Sequence, residues 1–135
     1  MAGPLAGLRV VDCSSGFAGP RATGMLADYG ADVIWVERLG GNSDRSELAV
    51  PYAVFNRGKR SICLDLDSTE GREKLNQLLE DADVLVVGWQ PEIASALDLD
   101  YESVHGLYPR LIYGSITGFG IEGPYSHLPA YESLI

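Results

Sequence analysis

Positive charge is scarce in this chain. Ten Lys and Arg stand against nineteen Asp and Glu, a net charge of −9. Nucleic-acid binding needs a basic surface, so this balance argues against such a partner. A phosphorylated small molecule needs only a local cationic contact and stays open. Long apolar runs are also lacking, and nothing approaches the length of a membrane span. The amino terminus, Met-Ala-Gly-Pro-Leu, lacks the charged and apolar regions of a signal peptide. A cytoplasmic location, with no membrane partner, is therefore expected. Only two cysteines are present, Cys13 and Cys63, both beside strand-like residues. They are expected to be buried thiols rather than a disulfide. The two histidines, His105 and His127, have no ligand-spaced partners, so no metal is assigned. A Ser-His-Asp signature, internal repeats and low-complexity stretches are absent as well.

What is present is an alternation of short apolar runs with helical or turn segments. The 135 residues suffice for one domain, and 46 % apolar content is ordinary for a globular chain. Arg9 to Cys13 reads as a first strand. Gly19 to Tyr29 reads as a helix with Ala22, Met25, Leu26 and Tyr29 on its apolar stripe, ended by Gly30. Asp32 to Glu37 is a second strand, and residues 39 to 50 read as a mobile loop. Ser61 to Leu66 is a third strand. Ser68 or Thr69 caps a helix to Glu80, with Leu75, Leu78 and Leu79 inward. Val84 to Val87 is a fourth strand, apolar throughout and so expected to be buried on both faces. Pro91 opens a short helix, Tyr101 to Leu107 forms another, and Leu111 to Ile116 is a fifth strand. The pattern predicts an α/β fold: a Rossmann-like open parallel sheet of about five strands with helices on both faces.

Such sheets bind ligands beyond the carboxyl ends of their strands. The segments Ser14 to Pro20, Arg38 to Gly41, Gly88 to Pro91 and Thr117 to Gly120 are therefore expected to converge. The first turn, Ser14-Ser15-Gly16-Phe17-Ala18-Gly19-Pro20, precedes a helix whose amino end could attract phosphate. It does not carry the Gly-x-Gly-x-x-Gly dinucleotide fingerprint, and it reads equally as a tight turn. Phe55-Asn56-Arg57-Gly58-Lys59-Arg60 gathers three cations, to which Arg38 and Arg45 could add. It is either a phosphate-holding cluster or a solvated turn. Trp89 either stacks on an adenine ring or packs in the core.

Three ordered blocks carry a family resemblance. They are PLAGLRVVDCSSGFAGPRATGMLADYGADVIWVER, FNRGKRSICLDLDSTEGREKLNQLLEDADVLV and YPRLIYGSITGFGIEGPYSHLPAYE. Together they resemble the class III coenzyme A transferases, the group of formyl-CoA transferase and carnitine CoA-transferase, with α-methylacyl-CoA racemase as a related branch. The resemblance implies coenzyme A as substrate in the form of acyl-CoA, a small carboxylic acid as second substrate, and an interlocked homodimer for a full-length protein. It assigns CoA contacts to Phe17, Ala18, Arg38, Phe55, Asn56, Arg57, Gly58, Thr117, Gly118 and Phe119; Trp89 is added as a candidate from its place at the ligand edge after the fourth strand, not from the resemblance. Residues 1–120 are expected to form the CoA-binding domain. Residues 121–135 would begin a connection to a remainder, so the chain reads as an amino-terminal fragment that exposes apolar surface and self-associates.

The departures from the family pattern are specific. After the fourth strand the family usually has Glu-Asn-Phe-x-Pro-Gly and then an arginine. Here the segment is Val87-Gly88-Trp89-Gln90-Pro91-Glu92, with Ala96 at the arginine's place. Loss of one charge-assisted contact weakens binding by roughly 1.5–3 kcal/mol. Phe17 stands where formyl-CoA transferase has a glutamine. In the family an aspartate attacks the thioester, and a carboxylate suits this because its acyl product stays reactive. No residue of this chain matches that aspartate. Glu132 lies near the His-Asp of racemases, but Tyr131 replaces the histidine. Three readings follow: the CoA-binding part of an acyl-CoA:carboxylate CoA-transferase working through an aspartyl-CoA thioester, a degenerate binding or structural domain, or a member of the racemase branch. An unrelated nucleotide-binding domain is disfavoured by the missing fingerprint.

Overall fold

The computed structural model describes residues 3–41, 49–128 and 130. Arg45, Tyr131, Glu132 and most of the expected loop over residues 39 to 50 lie outside the described residues.

Ten elements follow one another: β1 (Arg9–Cys13), α1 (Ala18–Asp28), β2 (Asp32–Glu37), α2 (Ala49–Phe55), β3 (Arg60–Cys63), α3 (Thr69–Glu80), β4 (Val84–Val87), α4 (Pro91–Ala96), α5 (Tyr101–Leu107) and β5 (Ile112–Ser115). The strands form one sheet in the order β3-β2-β1-β4-β5. Every pairing is parallel, with Val11 opposite both Ile34 and Leu85, Val36 opposite Ile62, and Leu85 opposite Tyr113. The Rossmann-like sheet expected from the sequence is the one observed.

Alternation along the strands divides the core in two. Val11, Cys13, Val36, Leu85 and Val87 pack with Leu75 and Leu79 of α3, Ala94 of α4 and Val104 of α5. Val10, Val33 and Val86 face the other way, against Leu26 and Ala27 of α1. Val10, Val11, Val33, Leu85 and Val87 are each at most 2 % exposed. Burying such side chains contributes roughly 1.5–3 kcal/mol apiece. The fourth strand is thus buried on both faces, as its unbroken Val-Leu-Val-Val predicts. Ser68 caps α3 by accepting from the Gly71 amide at 3.0 Å. Gly30, at φ 100°, ends α1 in the left-handed conformation that glycine adopts without strain.

Three expectations need correction. Of the stripe expected on α1, only Leu26 packs toward the core. Gly19, Pro20, Thr23 and Gly24 face the sheet, while Met25 is 45 % and Tyr29 53 % exposed. The helix sits too close for large side chains: a Cβ at Gly24 would lie 2.4 Å from the Phe55 carbonyl oxygen. Second, α2 is a helix where loop and turn were expected. Its proline, Pro51, falls in the first turn, where no amide donor is needed. Third, Cys63 is exposed, because β3 is an edge strand; Cys13 is buried as expected, and both are free thiols.

Candidate functional site

The strand order reverses between β1 and β4, and the chain opens a cleft beside this point, at the carboxyl ends of β1, β2 and β3. The cleft measures about 830 Å³. Ser14 and Ser15 form its floor after β1. Arg38 and Leu39 come from the end of β2, and residues 64–67 from the end of β3. Trp89, Glu92 and Ile93 close it from the β4–α4 side. The β3 end was the wall that sequence reasoning left out. The expected strand ran on to Leu66, but pairing stops at Cys63 and residues 64–67 turn into the cleft rim. Thr117 to Gly120, expected to converge here, do not line it.

The turn after β1 is held by a buried polar network. Asp12 is fully buried and all its partners are local or arrive from far along the chain. One carboxylate oxygen accepts from the Ser14 amide at 3.1 Å and from the Ser14 hydroxyl. The other accepts from Thr23 Oγ1 at 2.5 Å and from Lys59 Nζ at 3.0 Å. Lys59 also donates to the Pro20 carbonyl at 2.9 Å and to Asn56 Oδ1 at 2.8 Å. Burial lowers the Lys59 pKa, and the Asp12 charge and hydrogen bond oppose that shift. Trp35 Nε1 donates to the Ser14 carbonyl at 2.8 Å, fixing the cleft floor from below. Burial, reinforced by the Asp12 charge, pushes the Cys13 thiol up, so this cysteine is no nucleophile.

The expected contact residues fall into three places. Arg38 and Trp89 line the cleft. Arg38 is exposed, and among the described residues its guanidinium has no ion pair. Trp89 packs against the core, one of the two readings offered for it, and it also lines the cleft. The second group lies over α1 and α2. Phe17 meets Phe55 edge-on at 5.7 Å, with Ala18 beside it as the first residue of α1. Arg21 lies over the Phe55 ring at 5.9 Å. Asn56 donates to the Tyr52 carbonyl, and Gly58 turns at φ 76°. The three cations of this segment do not converge. Arg57 pairs with Asp28, Lys59 with Asp12, and Arg60 with Asp32 at the amino ends of β2 and β3. The third group, Thr117, Gly118 and Phe119, follows β5, where Phe119 meets Tyr125 at 6.1 Å.

The glycine at position 88 has a local cause. A Cβ there would lie 2.7 Å from Ser14 Cβ, and the Gly88 amide donates to the Cys13 carbonyl at 3.1 Å. A side chain at position 88, such as an asparagine, would therefore force Ser14 or its strand to shift. Among the described residues no cluster of three or more potential ligands could hold a metal ion, and no helix is long and apolar enough to cross a membrane.

An open parallel sheet with a cleft beside its reversal point, one unpaired arginine and one indole on its walls defines a ligand-binding α/β domain of Rossmann type. Comparison with known proteins carries this further. The model for CoA-transferase family III matches residues 5–135, and the chain belongs to that family. It is 40 % identical to a succinate–glutarate CoA-transferase of Agrobacterium fabrum, over 98 % of this chain and 36 % of that protein. It is 38 % identical to a formyl-CoA:oxalate CoA-transferase of Escherichia coli, over 99 % of this chain and 34 % of the relative. Among solved structures, a hypothetical protein from Mycobacterium tuberculosis superimposes with a TM-score of 0.93 at 35 % identity, covering 99 % of this chain and 39 % of that one. The chain thus spans about a third of the length of the curated relatives it matches.

Proposed function

We propose that this chain is the coenzyme A-binding part of an acyl-CoA:carboxylate CoA-transferase, and that the cleft beside β1, β2 and β3 receives the nucleotide end of the cofactor. The observation that carries this reading is the pairing of Arg38 with Trp89 on one cleft, at the strand ends where parallel sheets bind nucleotides. Arg38 offers a planar cation to a phosphate. Trp89 offers an apolar face to the adenine. Leu66 and Ile93 add apolar wall.

In this reading the chain binds and orients CoA; it does not attack the thioester. The exposed carboxylates on the cleft are poor candidates for the nucleophile. Asp65 accepts from the Asp67 amide in its own turn at 3.2 Å, and Asp67 and Glu92 sit on open rim. The aspartate that would form the aspartyl-CoA thioester, and the site for the second acid, belong to parts of the transferase outside these residues. Apolar side chains left half exposed, Met25 of α1, Tyr29 after it and Val54 of α2, are consistent with assembly into a dimer.

Titration with CoA while following tryptophan fluorescence tests the reading. The chain has two tryptophans, and Trp35 is buried away from solvent. Saturable quenching that disappears in Trp89→Phe is expected. Absence of any saturable change, with binding also absent by calorimetry, would overturn it.

A further inference from the structure

Ser14 lines the cleft, yet it is 1 % exposed and turns its polar groups inward. Its amide, at 3.1 Å, and its hydroxyl both donate to Asp12 Oδ1, and its carbonyl accepts from Trp35 Nε1 at 2.8 Å. Two neighbours press on the same side chain. A Cβ at Gly19 would lie 2.2 Å from Ser14 Oγ, and one at Gly88 would lie 2.7 Å from Ser14 Cβ. The orientation of Ser14 therefore sets how closely α1 and the turn that carries Trp89 approach the floor. That orientation depends on Asp12, the acceptor for two of its groups.

Asp12 is fully buried, and a buried carboxylate needs a countercharge. Lys59 supplies it, with a side chain only 1 % exposed and so out of reach of a ligand in the cleft. Its three ammonium donors are spent on Asp12 Oδ2, the Pro20 carbonyl and Asn56 Oδ1. The other carboxylate oxygen is left to Ser14. Without an acceptor at position 12, the buried Ser14 amide and hydroxyl lose their partner, and the hydroxyl turns to find another. The space it can turn into belongs to Gly19, to Gly88 or to the cleft itself. We infer that Asp12 and Lys59 are positioning residues for the coenzyme A cleft: neither touches the ligand, and together they hold Ser14 in the orientation that sets the floor and the place of Trp89. The inference rests on the cleft being the CoA site, and it adds two residues on which binding depends from below.

Calorimetric titration of two uncharged double variants with CoA tests this. Asp12→Asn with Lys59→Met removes both charges and keeps an oxygen that can accept from Ser14. Asp12→Leu with Lys59→Met removes the acceptor as well, and apolar replacement of a buried ion pair generally keeps a protein folded. The first variant is expected to bind CoA within about threefold of the parent chain, and the second about tenfold more weakly although folded by circular dichroism. A role confined to stability predicts equal CoA affinity in the two folded variants. That result would overturn the inference while leaving the CoA cleft standing. If either variant fails to fold, Ser14→Ala decides. It keeps the amide bond to Asp12, loses the hydroxyl's, and should weaken CoA binding about threefold or more with the fold intact. Unchanged affinity there would overturn the inference. If the parent chain binds no CoA, the cleft reading falls and takes the positioning role with it.

Discussion

Lys59 Nζ lies 3.0 Å from Asp12 Oδ2, with the lysine side chain 1 % and the aspartate 0 % exposed. The two residues are 47 positions apart, and their pairing ties the segment before β3 to the carboxyl end of β1. Thr23 from α1 shares the same carboxylate oxygen, so one charge pair joins three elements beneath the cleft floor. Removing one member of a buried pair strands the other, which typically costs 3–5 kcal/mol. Lys59→Met is expected to lose about that much in urea unfolding. The double variant with Asp12→Asn should recover part of the loss, because no uncompensated charge then remains.

Gly88 faces Ser14 too closely for any side chain. Gly88→Asn, which restores the family's usual residue, should destabilise the chain by about 1–3 kcal/mol through overpacking. Adding Ser14→Gly should relieve part of it. Thermal melts of the single and double variants check this. Additive losses would show that the two positions do not press on each other.

The two thiols should differ sharply in reactivity. Cys63 is exposed and Cys13 is buried with its thiol pushed up. Under native conditions an aromatic disulfide reagent is expected to label one cysteine per chain quickly. Mass mapping should place the label on Cys63, with Cys13 reacting only after unfolding.

Tyr113 supplies an alkaline signature. Burial first, then the charges of Asp100, Cys13 and Glu102, push its phenol up to about 12 from an ordinary 10.0. Its hydroxyl donates to the Leu99 carbonyl at 2.8 Å. The unfolded chain releases this proton first as pH rises, so the folded state binds more protons between 10 and 12. This contribution to stability is therefore complete below pH 10 and is lost as pH climbs through 12. Ultraviolet titration should show a late phenolic component, to which Tyr108, pushed up by burial and by the Glu80 charge, also contributes, and Tyr113→Phe should remove its latest part.

Much of the fold was legible because strands and caps write locally. β1 and β2 match their expected bounds, and Ser68, Gly30 and Pro91 punctuate the helices as their chemistry dictates. α1 misled because the stripe rule looks for large apolar residues. Its inner face is instead built of Gly19, Thr23 and Gly24, which permit close approach to the sheet and to Phe55. α2 was hidden by Pro51 within a short Val- and aromatic-rich run. The site was legible only in part. Arg38 and Trp89 follow strands that point at the cleft, so position along the chain announced them. The fates of Arg57, Lys59 and Arg60 depend on Asp28, Asp12 and Asp32, none of them nearby in sequence. No spacing rule reveals such long-range neutralisation.

The most direct test of the cleft as the CoA site is calorimetric titration of CoA into the chain and into Arg38→Met. Arg38 is exposed and, among the described residues, bonds to no side chain, so its removal should leave the fold intact by circular dichroism. One-site binding is predicted for the parent chain, weakened about tenfold to a hundredfold in the variant, as loss of a charge-assisted phosphate contact implies. Undiminished binding in Arg38→Met, or no binding in the parent chain, would contradict the account.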